Sequence, residues 1–149
     1  MSGLDELYKE VILDHYRSPR NRGKLEPAEF DLDRDNPLCG DEVHLYGRID
    51  DGKLTAVTFE GKGCSISQAS TSMMTEKVSS VSVEEAEELA QLFKRMMQGE
   101  AVPDAERLGD LAALQGVQKY PVRIKCALLG WNTLLEGLKA YKDKQGSKD

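Results

Sequence analysis

The residues of this chain that could do chemistry together are its three cysteines and one aspartate. Cys39 and Asp41 flank Gly40, a spacing that lets a thiol and a carboxylate face one point in space. If the fold also gathers Cys64 and Cys126, the four residues form a tetrahedral set of three sulfurs and one oxygen, which suits zinc. Chain spacing alone does not establish this gathering. The alternative is three buried cysteines that act as small apolar residues.

Composition narrows the class of protein. The 149 residues fit one domain, and 26 acidic against 20 basic residues, a net charge of −6, argue against a general nucleic-acid binder. No stretch approaches the roughly 20 apolar residues that span a bilayer, and the first residues lack a signal-peptide pattern. An odd cysteine count without a secretion signal favours a metal or a reactive thiol over disulfides. We expect a single cytoplasmic domain, 1–149, that binds neither nucleic acid nor membrane.

The first half of the chain predicts one helix and one β-hairpin. Apolar residues at helical spacing predict a helix over 4–17, which ends before Pro19. The charged and aperiodic stretch 20–37 predicts an extended connection that leads to Cys39. Residues 42–50 and 53–60 alternate in polarity around a tight Asp-Gly turn and predict a hairpin. A two-residue loop would split the apolar residues of the second strand between two faces, so a bulge or two covered faces is needed.

Cys64 follows two glycines that surround a lysine, so it is predicted to lie on a sharp turn at the end of the second strand. The small hydroxyl residues behind it favour a helix start. Further on, Ser82 and Glu85 match a capping box that opens an amphipathic helix over 83–98, closed by Gly99.

The last third of the chain predicts a short apolar helix over 108–114 and a long one after Pro121. Cys126 is expected near the start of the long helix, where aligned backbone dipoles stabilise a thiolate. The charged tail from about residue 142 is expected to fray.

Four segments of the sequence resemble the IscU/NifU-type iron–sulfur scaffold family. Three of them surround the cysteines, at 36–41, 61–70 and 123–127, and the fourth is the N-terminal stretch 14–21. The resemblance covers residues 4–141, and four motifs in the same order are far more specific than any one of them. It implies an α+β fold with a small antiparallel sheet, about five helices and a metal site exposed at one end.

Two features favour the SufU-type branch of this family, a zinc-bound sulfur acceptor. Position 125 is lysine, whereas IscU proteins carry a histidine immediately before the last cysteine. The predicted helix over 83–98 corresponds to an extra segment in SufU proteins. By this resemblance, Zn²⁺ is bound by four residues: Cys39, Asp41, Cys64 and Cys126.

The resemblance also implies a function for Cys39, which would receive persulfide sulfur from a SufS-type cysteine desulfurase. Zinc keeps cysteine deprotonated at neutral pH, but a zinc-bound thiolate is a subdued nucleophile. We therefore expect docking to exchange the Cys39–zinc bond for a ligand from the desulfurase. Other iron–sulfur assembly proteins are further partners under this hypothesis. The description that fits best is a zinc-dependent sulfurtransferase.

Two other functions stay open from the sequence. The same cysteines suit a scaffold on which an iron–sulfur cluster is assembled, and Lys125 is the residue that discriminates against it. A zinc-stapled interaction module without sulfur transfer is the alternative from another class.

Charge near the predicted site raises one further expectation. Three thiolates, one carboxylate and Zn²⁺ sum to −2, so Lys62, Arg123 and Lys125 are either balancing cations or ordinary solvated side chains. For the two histidines, His15 and His44, structural or surface roles are expected rather than metal binding.

Overall fold

The structure, a computed structural model, describes residues 3–102 and 105–146. Its three-stranded antiparallel sheet has the order β1-β2-β3, with strands β1 (Phe30–Asn36), β2 (Asp41–Asp50) and β3 (Lys53–Lys62). Five helical segments accompany it in these residues: α1 (Gly3–Arg17), α2 (Ser65–Val78), α3 (Val83–Met97), a 3₁₀ segment (Ala105–Lys119) and α4 (Pro121–Gly146). The predicted α+β class, with a small antiparallel sheet and about five helices, is confirmed.

The β2–β3 hairpin turns at Asp51 and Gly52, which both have positive φ and so suit a two-residue turn. Its register shifts between Arg48 and Ile49. Of the two alternatives that the sequence left open, a bulge or two covered faces, the structure has the bulge. The extra residue brings the apolar side chains of β3 onto one face, where Leu54, Val57 and Phe59 are all buried.

Strand β1 corrects the sequence prediction for 20–37, which was an extended connection without a strand. It pairs with β2 from Phe30, opposite Gly47, to Asn36, opposite Asp41. Acidic residues are depleted in strands, and the exposed positions of β1 are occupied by three aspartates and an arginine, which hid the alternation. Charged side chains on an edge strand also discourage pairing with another chain.

Helices α2 and α4 approach each other closely, and this approach brings two cysteines to one place. A Cβ at Gly130 of α4 would lie 3.1 Å from the Cβ of Thr71 in α2, so a glycine is required there. The Ser70 hydroxyl donates to the carbonyl of Ala127 at 2.7 Å. Since Cys64 immediately precedes α2 and Cys126 immediately precedes Ala127, their segments converge.

The Ser82 half of the capping box predicted for the helix over 83–98 is confirmed in α3. The Ser82 hydroxyl accepts a hydrogen bond from the Glu85 N–H at 3.0 Å, and Gly99 beyond the helix has a φ of 83°. The short helix predicted over 108–114 lies within the longer 3₁₀ segment, which is kinked at Gly109.

The tail expected to fray from about residue 142 is helical up to Gly146. Helix α4 continues to that residue, and the Lys142 ammonium pairs with Glu87 of α3 at 3.1 Å, which holds the last turns against the body. The final residues of the tail lie outside the described ranges. None of the helices in residues 3–102 and 105–146 is long and apolar enough to cross a membrane.

Candidate metal centre

The four predicted ligands come from three junctions at one end of the sheet. Cys39 lies on the turn 37–40 between β1 and β2, and Asp41 is the first residue of β2. Cys64 is the residue that caps the N-terminus of α2, and Cys126 lies in the second turn of α4. Each junction is shaped by a local sequence signal, namely a glycine turn, a glycine-rich strand end and a proline-started helix.

The structure brings three of these residues within metal-binding reach of one another. The ligand atoms of Cys39, Asp41 and Cys126 all lie within 4.8 Å of each other. The Cys39 and Cys126 sulfurs are 2.8 Å apart. The Cys64 sulfur lies outside that group but contacts the Asp41 carboxylate, with 3.8 Å between Sγ and Oδ2.

Asp41 joins the two motifs that hold it. Its Oδ1 accepts a hydrogen bond from the Cys64 backbone N–H at 2.8 Å. A Cβ at Gly63 would lie 2.8 Å from the Asp41 Cα, and Gly63 has a φ of 143°, so only glycine fits this approach. The glycine before Cys64 therefore lets the carboxylate reach the cysteine motif.

The helix-start position expected for Cys126 is taken by Cys64 instead. The Ser67 backbone N–H donates to the Cys64 sulfur at 3.4 Å, as in an ordinary N-cap. Cys126 is the sixth residue of α4, and the dipole effect fades within the first turn. Burial, together with hydrogen bonds to Cys39 and Asp41, raises the pKa of the Cys126 thiol instead.

Hydrogen bonding separates Cys39 from the other three residues, and burial separates it from two of them. Asp41 and Cys126 are fully buried, whereas Cys39 and Cys64 are half-buried and open the site to solvent. The Cys126 sulfur accepts from the Asn36 side-chain amide at 3.8 Å. Among the described residues, the Cys39 sulfur contacts the Cys126 sulfur and accepts no N–H hydrogen bond. Cys39 is thus the candidate metal ligand whose side chain is held by the fewest contacts.

Of the three cations proposed near the site, Arg123 is the one whose charge interacts with the sulfurs. Negative charge on Cys64 raises the pKa of Arg123, and hydrogen bonds to Cys126 and Cys64 add to the effect. Lys62 is mostly exposed and pairs with Glu42 at 3.5 Å. Lys125 is exposed.

The donor set fits zinc. The grouped residues offer two sulfurs and one carboxylate, with the Cys64 sulfur beside the same carboxylate, and these are ligand types that zinc takes. Sulfurs bound to one zinc at about 2.3 Å stand about 3.8 Å apart. The three grouped ligand atoms meet this spacing with small side-chain adjustments, mainly an opening of the Cys39–Cys126 pair.

Neither histidine joins this cluster. His15 is buried, and its Nδ1 lies 2.8 Å from the Ser72 hydroxyl. His44 on β2 pairs with Asp31 and stacks on Tyr46, with 4.5 Å between ring centroids. Both have the structural surroundings that the sequence suggested.

Sequence reasoning missed Asn36. Its side-chain amide donates to the sulfur of Cys126, which lies 90 residues further along the chain. A contact between residues so far apart leaves no local sequence pattern. The available signal was the Asn-Pro pair at 36–37, because asparagine before proline favours the start of a turn.

The fold and the cysteine–aspartate cluster together define a class of protein. Comparison with known protein families identifies that class. Residues 7–127 match the family described as NifU-like N terminal domain, and the chain belongs to this family.

Particular relatives narrow the comparison. The chain is 46% identical over 137 residues to the zinc-dependent sulfurtransferase SufU of Bacillus subtilis (strain 168), with 92% of each chain covered. It is 42% identical over 149 residues to the iron–sulfur cluster assembly scaffold protein IscU of Streptococcus pyogenes serotype M1, covering 100% of this chain and 93% of that protein.

A solved structure shares the fold. It is FiSufU from thermophilic Fervidobacterium islandicum AW-1, a candidate iron–sulfur cluster assembly scaffold of the SUF system. The TM-score is 0.84 at 40% identity, with 89% of this chain and 97% of that chain covered.

Proposed function

We propose that this protein is a zinc-dependent sulfur carrier that accepts persulfide sulfur from a SufS-type cysteine desulfurase for iron–sulfur cluster assembly. The observation that carries the proposal is the grouping of Cys39, Asp41 and Cys126, with the Cys64 sulfur against the same carboxylate. The name of the Bacillus relative, at 46% identity, supports both the metal and the reaction.

The four residues would hold Zn²⁺, which when bound keeps the cysteines as thiolates at neutral pH. Asp41, Cys64 and Cys126 are the holding residues, because each is buried or fixed by an N–H donor. Cys39 is the acceptor, because it lies half-buried on a turn and lacks such a donor among the described residues.

The transfer is a thiol–disulfide-type exchange. The Cys39 thiolate attacks the outer sulfur of the desulfurase persulfide, a new S–S bond forms at Cys39, and the bond in the desulfurase breaks. The desulfurase cysteine leaves as a thiolate. Cys39 then carries a persulfide on an accessible turn, from which another assembly protein could take the sulfur.

A cluster scaffold is the second candidate function, favoured by the 42% identity to a protein named for that role. The same thiolates would serve as cluster ligands. Lys125 disfavours this function, because a lysine replaces the histidine that precedes the last cysteine in IscU proteins, and ammonium is no ligand for iron.

Metal analysis of the protein as purified, paired with desulfurase assays with and without it, separates the functions. The proposal predicts one zinc per chain and strong activation of the desulfurase. Iron with visible absorbance would favour the scaffold instead. Zinc without activation would contradict sulfur transfer and leave a zinc-stapled interaction module.

A further inference from the structure

Asn36 shapes the turn that carries Cys39. It is the last residue of β1, it is only 8% exposed, and it lies opposite Asp41 in the sheet register. Its backbone carbonyl accepts the Cys39 N–H at 3.2 Å, which closes the turn. Its side-chain Oδ1 accepts the Leu38 N–H at 3.3 Å, as asparagines at turn starts do. Both oxygens of this residue therefore fix the path of residues 37–40.

The amide nitrogen of the same side chain reaches the other side of the centre. Asn36 Nδ2 lies 3.8 Å from the Cys126 sulfur. The orientation of the amide follows from its partners, since the Leu38 N–H can only donate and must meet Oδ1. The NH₂ group consequently faces the sulfur, and Asn36 bridges the turn of one predicted ligand to the side chain of another.

This bridge matters because Cys126 is fully buried. Water cannot solvate a negative sulfur there, so protein N–H groups must do so. Asn36 supplies one such group from the sheet, and the Arg123 guanidinium adds positive charge from the exposed side.

We propose that Asn36 is a positioning residue of the metal centre, whose amide N–H keeps Cys126 bound while its oxygens shape the turn that presents Cys39. This inference rests on the proposed zinc site. It extends that site by assigning the difference between a holding cysteine and a departing one to a single side chain.

Two variants separate the N–H donor from the turn. Asn36→Asp and Asn36→Ser each keep an oxygen that can accept the Leu38 N–H, but neither offers an N–H to Cys126. Asn132→Asp is the matched control. It makes the same substitution at an exposed position of α4, six residues after Cys126.

Zinc affinity is measured by competition with a chromophoric chelator, and the number of bound thiolates by the charge-transfer bands of the cobalt(II)-substituted proteins. We expect both Asn36 variants to lose roughly 10–100-fold in zinc affinity, the usual cost of removing a hydrogen-bond partner of a ligand. Their thiolate-to-cobalt bands should weaken, and Asn132→Asp should match the wild type in both measurements.

The outcomes distinguish this inference from the function beneath it. Wild-type affinity and an unchanged cobalt spectrum in the Asn36 variants would overturn the role of Asn36 while the zinc site stands. A wild-type chain that binds no zinc would overturn the zinc site itself. If circular dichroism shows that Asn36→Asp does not fold, Asn36→Ser, which adds no charge, decides by the same two measurements.

Discussion

The Asp41 carboxylate accepts the backbone N–H of Cys64 at 2.8 Å, which ties the first residue of β2 to the start of α2. A charged acceptor makes such a bond stronger than a neutral one. Since this bond uses Oδ1, the other oxygen, Oδ2, stays directed toward the Cys64 sulfur at 3.8 Å. The carboxylate thus joins two segments of the chain, and in the proposed zinc site it would also supply a ligand oxygen.

Two substitutions of Asp41 should separate these tasks. Asp41→Asn keeps an oxygen for the Cys64 N–H but loses the negative charge, so urea unfolding of the metal-free protein should change little. Its zinc affinity should fall by more than the roughly 10–100-fold that an indirect change costs. Asp41→Ala should lose the affinity and also about 1–3 kcal/mol of stability, because it leaves a buried N–H unpaired. Equal stability of the two variants would refute the joining role.

Gly63→Ala should disrupt the same junction from the other side. Its backbone has a φ of 143°, and the added Cβ would lie 2.8 Å from the Asp41 Cα. We expect about 1–3 kcal/mol of backbone strain and about 1–3 kcal/mol from overlap, measured by urea unfolding. Gly52→Ala is the control, since its φ is also positive but nothing lies within 4 Å of the new Cβ. A cost at Gly63 no larger than at Gly52 would mean that the close approach is not needed.

Arg123→Ala should weaken zinc binding roughly tenfold, because a cation whose charge interacts with two of the sulfurs is lost. The guanidinium is exposed, so the effect should shrink as salt is added. Lys125, two residues after Arg123, is also exposed. Lys125→Ala removes an equal charge and should have little effect on zinc binding. Chelator competition at low and high salt measures both variants, and equal losses would show that only net charge matters.

His15 should make folding stability depend on pH. Burial, and secondarily the charge of Arg20, lower the pKa of His15, although the carboxylates of Glu76, Asp14 and Asp110 oppose the shift. The unfolded chain therefore takes up the proton first. The neutral His15 ring therefore contributes its full stabilisation above the unfolded pKa of about 6.5. That stabilisation is lost as the pH falls through the lower pKa of His15 in the folded protein.

The comparison of wild type with His15→Gln, by urea unfolding between about pH 8 and pH 5, isolates this effect. Glutamine can still accept the Ser72 hydroxyl but does not titrate. The stability difference between the two proteins should narrow toward acid pH. His44→Gln, at the half-exposed histidine of β2, should leave the acid loss in place. A difference that is constant with pH would contradict a neutral buried imidazole.

Local sequence signals predicted the elements that local chemistry determines. The Asp-Gly turn gave the hairpin, the face mismatch in β3 gave the bulge, and Ser82 with Glu85 gave the start of α3. Strand β1 was missed because its stability comes from pairing with β2, which its aspartates conceal in sequence.

In the candidate site, too, local sequence signals identified some features, whereas others depend on long-range packing. The cysteine motifs named the four residues, but the distances between them depend on how α2 and α4 pack around Gly130. Cys126 was expected near a helix start but lies in the second turn of α4, whereas Cys64 caps α2, because such positions depend on where each helix begins within one turn. Asn36 acts through a contact that only the folded chain creates.

The most direct test of the account is to locate the transferred sulfur. The protein is incubated with its desulfurase and L-cysteine, and its peptides are analysed by mass spectrometry for a persulfide. We predict one added sulfur atom on Cys39, none on Cys64 or Cys126, and no acceptance by a folded, zinc-loaded Cys39→Ser variant. Sulfur on Cys64 or Cys126 in the wild type, or undiminished acceptance by Cys39→Ser, would contradict the central claim.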